Sequence, residues 1–373
     1  MTRLGVIFGS RSVEHEVSII TACQLMKHVN TENYSVVPLY IDKRGKWWTG
    51  DRAKTIDSYK NQDLTNPTGF EATNLLADPL EDHGIDVAII CTHGTYGEDG
   101  SIQGLLELAG IPYQGPGIVG SALCMDKILT KQVLMASGIP VVPFQWCTRD
   151  EWTQRPKEVL SRLLDTSVPH TSRLSFPLFV KPANLGSSVG ISKATDELSL
   201  QAAIEVAFQF DRRVLIEQGK EAIKEINVSV LGFNELIAST PEEPVSSGEL
   251  LSYSDKYEQG GKKTGGMASL RRRIPAPIPM SLTKKIQETA VNACKQLDVS
   301  GVVRIDFLVN PGTGEYWLNE LNTIPGSMSF YLWEASGISY PELIDRLVAI
   351  AMERNASMRN VITSIATPII TTT

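Results

Sequence analysis

The pattern of hydrophobic and polar positions predicts alternating strands and helices over the first third of the chain. Short apolar runs at residues 4–8, 34–41 and 87–91 indicate strands, and amphipathic stretches that begin near Val13 and at Ser101 indicate helices. Strands that alternate with helices are typical of a parallel sheet covered by helices. We therefore expect this part of the chain to be α/β.

The pattern changes after the first third. Strands are predicted at residues 176–181 and 214–217, and a hairpin is predicted from residues 225–231 and 235–238. Two glycine-rich polar segments accompany them. Residues 184–190 link one strand to the next, which is not the strand-to-helix setting of a P-loop. They are equally compatible with an ordinary hairpin loop and with a loop whose backbone N–H groups cover phosphates.

The second polar segment, residues 246–268, is long and glycine-rich. A structureless segment of this length inside a compact domain is usually functional or disordered.

A hairpin near the C-terminus carries the most informative residues. Two apolar-rich runs flank the turn sequence at residues 311–314. If Asp306 lies opposite Glu320, then Arg304 lies opposite Asn322, and the loop is the three residues 312–314. One face then carries the four polar side chains, because directly opposed residues share a face. The other face is expected to carry Ile305, Phe307, Val309, Trp317 and Leu321.

Two carboxylates and an amide oxygen without His or Cys suit Mg²⁺ or Mn²⁺, which share their ligands with phosphate oxygens. The alternative from this hairpin alone is a two-sided strand pair whose outer face is charged and has no metal.

The segment at residues 115–120 literally matches GxGxxG. Pro116 removes a backbone donor from the loop, and no acidic residue follows about 20 positions later on a second strand. A strand end followed by a helix explains this segment better than a dinucleotide site.

Composition and charge limit the classes of protein to which the chain can belong. The chain has 373 residues, of which 42% are hydrophobic and 21% charged, and its net charge is −7. These are ordinary values for a globular protein of two or three domains, and they give no indication of a nucleic-acid partner. There is no apolar run of membrane-spanning length, and the N-terminus does not resemble a signal peptide. Five scattered cysteines without CxxC pairs indicate reduced thiols in the cytoplasm.

Eight motifs occur in an order that resembles the D-alanine–D-alanine ligases of the ATP-grasp superfamily, over roughly residues 3–354. They are Ser12-Val-Glu14-His-Glu16-Val-Ser18, His93-Gly94, Met125-Asp-Lys127, the run from Lys181 to Gly190, Glu225-Ile-Asn-Val, Lys256-Tyr257, Arg304-Ile-Asp306 and Asn319-Glu-Leu-Asn322.

The resemblance implies an ATP-grasp architecture of mixed α/β and α+β class. A Rossmann-like N-terminal domain spans residues 1–126, and two further domains, 127–217 and 218–373, clasp ATP between two antiparallel sheets. It also implies that ATP phosphorylates the carboxylate of one D-alanine, that the amine of a second attacks the acylphosphate, and that phosphate leaves. The product serves peptidoglycan synthesis.

The resemblance assigns roles to individual residues. It implies catalytic roles for Glu14, Ser187, Tyr257, Arg304 and the backbone N–H of Gly326, and contacts with ATP for Lys127, Lys181, Ser188, Glu217, Glu225 and Lys256. It implies contacts with the amino-acid substrates for His93, Ser327 and Tyr331. It also implies that two Mg²⁺ or Mn²⁺ ions are bound by Asp306, Glu320 and Asn322.

The resemblance leaves two alternatives for the acceptor. Many relatives have a small hydroxyl residue after Gly326, whereas here the alignment brings Tyr331 or a neighbour to that place. The Lys256-Tyr257 pair is typical of ligases with D-alanine as acceptor, and the alternative is another acceptor such as D-serine. The expected partners are ATP, D-alanine and a second copy of the chain in a homodimer, with neither nucleic acid nor membrane. Residues 271–273, three arginines, are expected to be a solvated basic run.

Overall fold

The first sheet comes from the N-terminal quarter of the chain. The computed structural model describes residues 1–73, 84–165, 167, 174–186, 189–245 and 271–362. The strands of this sheet are β1 (Thr2–Gly9), β2 (Tyr34–Ile41), β3 (Trp47–Thr49), β4 (Glu71–Thr73) and β5 (Val87–Ile90). Their order is β4–β3–β2–β1–β5, and β1 pairs in parallel with both β2 and β5. The predicted parallel α/β arrangement is therefore confirmed.

Helices cover this sheet. They include α1 (His15–His28) and α2 (Ser101–Leu108), with 3₁₀ turns at Asp51–Lys54 and Ile56–Tyr59, whereas the next helix, α3 (Ile118–Met125), packs Leu123 and Cys124 into the core of the third sheet. Gly117 is the N-cap of α3, so the GxGxxG match does lead into a helix as expected.

Residues 111–113 add only one bridge to this sheet, between Tyr113 and Ala88. Pro112 lacks the N–H that a longer ladder requires.

The second sheet is antiparallel and lies in the middle of the chain. Its strands are β6 (Phe144–Thr148), β7 (Leu178–Pro182), β8 (Ser192–Ala194) and β9 (Arg213–Gln218), in the order β6–β9–β7–β8. Four helices accompany it: α4 (Lys127–Ala136), α5 (Arg149–Gln154), α6 (Pro156–Leu163) and α7 (Glu197–Ala207). Asp126 begins α4 by accepting hydrogen bonds from the N–H groups of Ile128 and Leu129, which is the usual role of an N-cap aspartate.

The third sheet contains the predicted hairpins. Its strands are β10 (Lys224–Gly232), β11 (Leu236–Ala238), β14 (Gly301–Val309) and β15 (Tyr316–Asn322), and a separate two-stranded ribbon consists of β12 (Glu243–Pro244) and β13 (Arg272–Arg273). The order β11–β10–β14–β15 is antiparallel throughout. Helix α8 (Met280–Gln296) packs on its apolar face.

The hairpin of β14 and β15 has the predicted register at its functional end. Arg304 pairs with Asn322, and Asp306 pairs with Glu320. A β-bulge then shifts the register, so that Phe307 pairs with Leu318.

The expectation for the other end of this hairpin was wrong. Trp317 pairs with Leu308 and therefore lies on the polar face, while Leu318 takes the fully buried place on the core face. One extra residue in one strand of a pair reverses the faces of all residues beyond it. The loop is also one residue longer than expected, because Asn310 N–H donates to the Glu315 carbonyl and leaves four residues between them.

The chain then returns to the first sheet. A turn, Gly326–Ser329, precedes α9 (Phe330–Glu334) and α10 (Tyr340–Arg359). Helix α9 begins only at residue 330, because Ser327, Met328 and Ser329 all have φ near +50°. Each such non-glycine residue costs about 1–2 kcal/mol, so surrounding contacts must hold the turn. Apolar side chains of α10 join the core of the first sheet.

Among the described residues, three hydrophobic clusters centre on the three sheets, and the first also includes Leu231 and Val302 of the third sheet. A fourth, smaller cluster packs Ile128 of α4 against residues of the second sheet. The domain boundaries at residues 126 and 217 stay a prediction. In the described part of the chain, no helix is both long enough and apolar enough to cross a membrane.

Candidate active site

The polar face of the third sheet gathers four side chains from two adjacent strands. Arg304 and Asp306 lie on β14, and Glu320 and Asn322 lie opposite them on β15. Arg304 donates from Nε to Oδ1 of Asp306 and from Nη2 to Oδ2, both at 2.7 Å. The Asn322 amide donates to Asp306 Oδ2 at 3.1 Å. Burial opposes the charge of Arg304, but the Asp306 carboxylate raises the pKa of the guanidinium well above its ordinary value.

The residues of this face fit a hard divalent cation. Asp306 is buried, and its Oδ2 accepts from both Arg304 and Asn322. Its Oδ1 accepts only from Arg304 and so retains a lone pair for a metal. Glu320 and the Asn322 side chain add oxygens from the neighbouring strand. An all-oxygen ligand set that leaves room for phosphate oxygens is what Mg²⁺ prefers.

A buried cluster of one carboxylate and two lysines lies at the edge of the second sheet. Glu217 on β9 pairs with Lys131 of α4 at 2.7 Å and with Lys181 on β7. Burial alone would raise the pKa of Glu217, but the charges of Lys131 and Lys181 lower it to about 2. Burial lowers the pKa of Lys131, whereas Glu217 outweighs burial at Lys181 and raises its pKa.

The bulge of β15 joins this cluster to the polar face. Lys181 Nζ donates to Oδ1 of Asn319, the residue next to Glu320, at 3.3 Å. The second and third sheets therefore meet where a lysine of one faces the acidic hairpin of the other.

Glu14 lies where the N-terminal part meets the glycine-rich loop. It is the N-cap residue of α1 and is 8% exposed. A methyl group added to Gly94 or Gly186 would lie 2.6 or 2.8 Å from its Oε2, so the Glu14 carboxylate packs closely against both glycines. Lys127 fixes the same loop by donating to the Leu185 carbonyl at 2.7 Å.

His93 is a buried, neutral histidine with a partner at each ring nitrogen. Nε2 lies 2.9 Å from the Thr21 hydroxyl, and the ring also hydrogen bonds to the backbone of Ile324. Burial lowers the pKa of His93 to about 4, and nearby Arg304 adds to this.

Glu98 lies close by and ties the His93 loop to the segment after β15. It accepts hydrogen bonds from the backbone N–H groups of Gly94 at 2.8 Å and Ile324 at 2.9 Å. Burial and the charge of Glu14 raise its pKa to about 7.

Tyr331 belongs to a second buried charged group. The Arg272 guanidinium lies 3.6 Å above its ring, and its hydroxyl donates to Glu242 Oε1 at 3.3 Å. Arg272 also pairs with Glu242 at 3.1 Å. The expectation of a solvated basic run was therefore wrong for Arg272, whose side chain is 12% exposed, because a buried carboxylate faces it.

The remaining assigned residues fall into two groups. Glu225 lies on β10 opposite Leu308, and Gly326 and Ser327 lie in the turn before α9. Ser187, Ser188, Lys256 and Tyr257 lie outside the described residues.

Four residues of this region escaped the sequence reasoning: Thr21, Glu98, Lys131 and Glu242. Lys131 had a signal, because it lies four residues after Lys127 on the same helix and both were visible in the sequence. Thr21 and Glu242 had none, since their partners are distant in the chain.

The family models match almost the whole chain. The model described as D-ala D-ala ligase N-terminus matches residues 3–116, and the model described as D-ala D-ala ligase C-terminus matches residues 133–349. The chain belongs to the D-alanine–D-alanine ligase family. A curated D-alanine–D-alanine ligase of Chlorobium phaeovibrioides is 40% identical over 94% of this chain and 97% of its own length.

Solved structures of D-alanine–D-amino-acid ligases are similar to this chain over nearly its whole length. The D-alanine–D-alanine ligase from Coxiella burnetii is 30% identical, with a TM-score of 0.78 over 96% of this chain and 97% of that one. The VanG D-Ala:D-Ser ligase from Enterococcus faecalis is 32% identical, with a TM-score of 0.75 over 94% and 99%. The expected ATP-grasp architecture is confirmed by these matches.

Proposed function

We propose that this protein joins two D-alanines in an ATP-dependent reaction that yields D-alanyl-D-alanine, ADP and phosphate and supplies peptidoglycan synthesis. The observation that carries the proposal is the meeting of Lys181 with the acidic hairpin. Lys181 on one sheet donates to Asn319, the neighbour of the Glu320 carboxylate on another, so a cation and an acidic group come together as phosphoryl transfer between a nucleotide and a carboxylate requires.

ATP would lie between the second and third sheets. Lys181 and Lys127 would neutralise phosphate oxygens, and the family motifs add Ser188 and Lys256. Glu217 and Glu225 would face the adenosine end. The charge of Glu217 supports this, since its low pKa keeps a hydrogen-bond acceptor ionised in a buried site.

Asp306, Glu320 and Asn322 would hold two Mg²⁺ or Mn²⁺ ions. When bound, such ions neutralise charge on transferring phosphate oxygens and fix their geometry.

The chain's own residues would guide the acyl transfer. Glu14 would pair with the ammonium of the first D-alanine and, with Ser187 and Tyr257, close the site. Arg304 and the Gly326 N–H would stabilise the negative oxygen that develops when the second amine attacks. His93, Ser327 and Tyr331 would line the substrate side, with His93 acting through its neutral ring.

We further propose three domains, with boundaries at residues 126 and 217, that close over the reactants and exclude water from the acylphosphate. We place the reaction in the cytoplasm and expect the chain to form a homodimer.

A second acceptor is a specific alternative. The similarity to a D-Ala:D-Ser ligase, together with the unusual segment after Gly326, favours a test of D-serine as the attacking amine.

The experiment measures phosphate release and product mass with D-alanine alone, D-serine alone and a mixture. D-Alanyl-D-alanine from D-alanine alone is the expected product. ATP turnover without any D-amino-acid dipeptide would contradict the proposal, and a mixed dipeptide as the main product would establish the alternative.

The metal assignment has its own test. Asp306→Asn and Glu320→Gln should lower kcat by at least about 100-fold, because each removes charge that faces the transferring phosphate. Unchanged turnover in both variants at saturating Mg²⁺ would remove these residues from the metal site.

A further inference from the structure

The turn Gly326–Ser329 is strained and buried, and the N-terminal part of the chain holds it. Its three left-handed residues, Ser327, Met328 and Ser329, are each at most 2% exposed. Strain of this kind persists only where neighbouring groups fix the backbone, and it is common at functional sites. The groups that fix it are therefore of functional interest.

Two side chains of α1 contact the turn directly. The Ser327 N–H donates to Thr21 Oγ1 at 3.1 Å, and the Ser327 hydroxyl donates to Gln24 Oε1 at 2.7 Å. Thr21 and Gln24 are three residues apart and so lie on one side of the helix. Thr21 is 1% exposed, so its hydrogen bond with the Ser327 N–H is shielded from solvent.

The Thr21 hydroxyl bridges His93 and the turn. Its oxygen accepts from the Ser327 N–H at 3.1 Å and lies 2.9 Å from Nε2 of His93. The His93 ring also hydrogen bonds to the backbone of Ile324.

This chain of bonds begins and ends on the segment that follows the metal-bearing strand. It leaves at Ile324, passes through His93 and Thr21, and returns at Ser327. Glu98 adds a bond to Ile324 N–H at 2.9 Å from the same loop as His93. Residues of the N-terminal part thus hydrogen bond to this segment on both sides of Gly326, at Ile324 and at Ser327.

We propose that Thr21 is a positioning residue: its hydroxyl connects His93 to the Ser327 N–H and holds the turn Gly326–Ser329 in the conformation that acyl transfer requires. The inference rests on the proposed function, since that function gives the Gly326 N–H a part in stabilising the attacked oxygen. Thr21 itself contacts no reacting atom.

The test compares three variants of the full-length protein. Thr21→Val removes the hydroxyl at nearly constant volume and leaves both Ser327 N–H and His93 Nε2 without their partner. Thr21→Ser keeps the hydroxyl. Ser18→Ala is the matched control, because Ser18 lies one turn earlier on α1 and is also buried, but its hydroxyl bonds only to Gly9 and Cys91 of the N-terminal part.

Thr21→Val should lower kcat about 10- to 100-fold with little change in the KM for ATP, because a small displacement of the turn misplaces the reacting groups. Thr21→Ser should stay within about threefold of the wild type. Ser18→Ala should lose thermal stability to a similar extent as Thr21→Val but keep its kcat. Equal loss of kcat in Thr21→Val and Ser18→Ala, or a kcat of Thr21→Val within twofold of the wild type, would overturn the inference.

Hydrogen–deuterium exchange gives a readout that does not depend on the reaction. The peptide covering residues 322–331 should exchange about tenfold faster in Thr21→Val and at the wild-type rate in Ser18→Ala. If the wild type makes no D-alanyl-D-alanine, the proposed function fails while this measurement still decides whether Thr21 holds the turn.

A second variant covers the case in which Thr21→Val does not fold. Gln24→Met removes only the bond to the Ser327 hydroxyl from the half-buried edge of α1. It should also speed exchange of the 322–331 peptide and lower kcat several-fold. A wild-type exchange rate and a wild-type kcat in Gln24→Met would then overturn the inference.

Discussion

Lys131 shows how a single buried residue affects the charge of its neighbours in the Glu217 cluster. Glu217 is 2% exposed, and a carboxylate at that depth is costly to ionise unless cations face it. Lys131 and Lys181 supply two cations, and the pKa of Glu217 falls to about 2 in spite of burial. Lys181 is the cation shared with the third sheet, so Lys131 provides the one that stays with Glu217.

Lys131→Met should therefore destabilise the protein by about 3–5 kcal/mol, because it leaves a buried carboxylate with one partner fewer. The free energy of unfolding from urea titration measures this. The matched control is Lys43→Met, whose ion pair with Glu16 is largely exposed and should contribute less than about 1 kcal/mol. A Lys131→Met loss as small as that of the control would mean that Glu217 does not need the second cation.

His93 predicts a pH dependence of stability. Its pKa is about 4 in the folded protein, below its ordinary value of 6.5. Between these values the unfolded chain binds a proton that the folded chain does not, so stability falls as the pH drops through this window. By pH 4, the protonation of His93 in the unfolded chain lowers the free energy of unfolding by about 3 kcal/mol.

The measurement compares the free energy of unfolding of the wild type and His93→Gln from pH 7 to pH 4. The advantage of the wild type over the variant should shrink as the pH falls. Parallel curves over this range would show that His93 is not held neutral by burial.

At the scale of the element, the β-bulge in β15 decides what the hairpin presents to each side. Before the bulge, the hairpin follows the predicted register and turns Asp306 and Glu320 to the polar face. Beyond it, Leu318 faces the core and Trp317 faces the polar side, where Lys220 lies 4.6 Å from its ring. The bulge also brings Asn319 to Lys181. One inserted residue thus both connects two sheets and extends the polar face with an aromatic ring.

Leu318→Ala and Trp317→Ala form a pair that tests this assignment. Leu318 is fully buried, so its truncation should cost about 2–5 kcal/mol of unfolding free energy. Trp317 is only half-buried on the opposite face, and its truncation should cost less in spite of the larger side chain. Thermal or urea unfolding of both variants measures the difference, and the reverse ranking would contradict the face assignment.

At the scale of the whole molecule, polar contacts around the site add to an apolar core that the first and third sheets share through Leu231 and Val302. Lys127 holds the glycine-rich loop through Leu185, Lys181 reaches Asn319, and Glu98 reaches Ile324. The last helix, α10, packs its apolar side into the core of the first sheet and so ties the end of the described chain to its beginning. A ligand that contacts two sheets at once should therefore stabilise the entire protein.

A non-hydrolysable ATP analogue with Mg²⁺ tests this expectation. At a hundredfold excess over its Kd the analogue should add about 2.7 kcal/mol to the free energy of unfolding and raise Tm. The increase should shrink when EDTA removes the metal and in Glu320→Gln. An equal Tm shift with and without metal would show that nucleotide binding does not depend on the acidic hairpin.

The sequence by itself determined the elements and the chemistry of the acidic hairpin. Alternating apolar positions fix which residues of β14 face the core, and turn residues fix where the hairpin reverses, so the pairs Arg304–Asn322 and Asp306–Glu320 followed from local pattern. The order of the motifs sufficed for the family, because each motif lies within a few residues of chain.

Only the tertiary structure decided how these parts act on one another. The bulge at Asn319 depends on the lysine of another sheet, the turn at Ser327–Ser329 depends on Thr21 some 300 residues earlier, and the buried state of Arg272 depends on Glu242. Propensity and periodicity describe neighbours along the chain, whereas burial and pairing depend on which distant groups meet. This is why the expectations for Trp317 and Arg272 were wrong, and why the role of Thr21 became visible only in the folded protein.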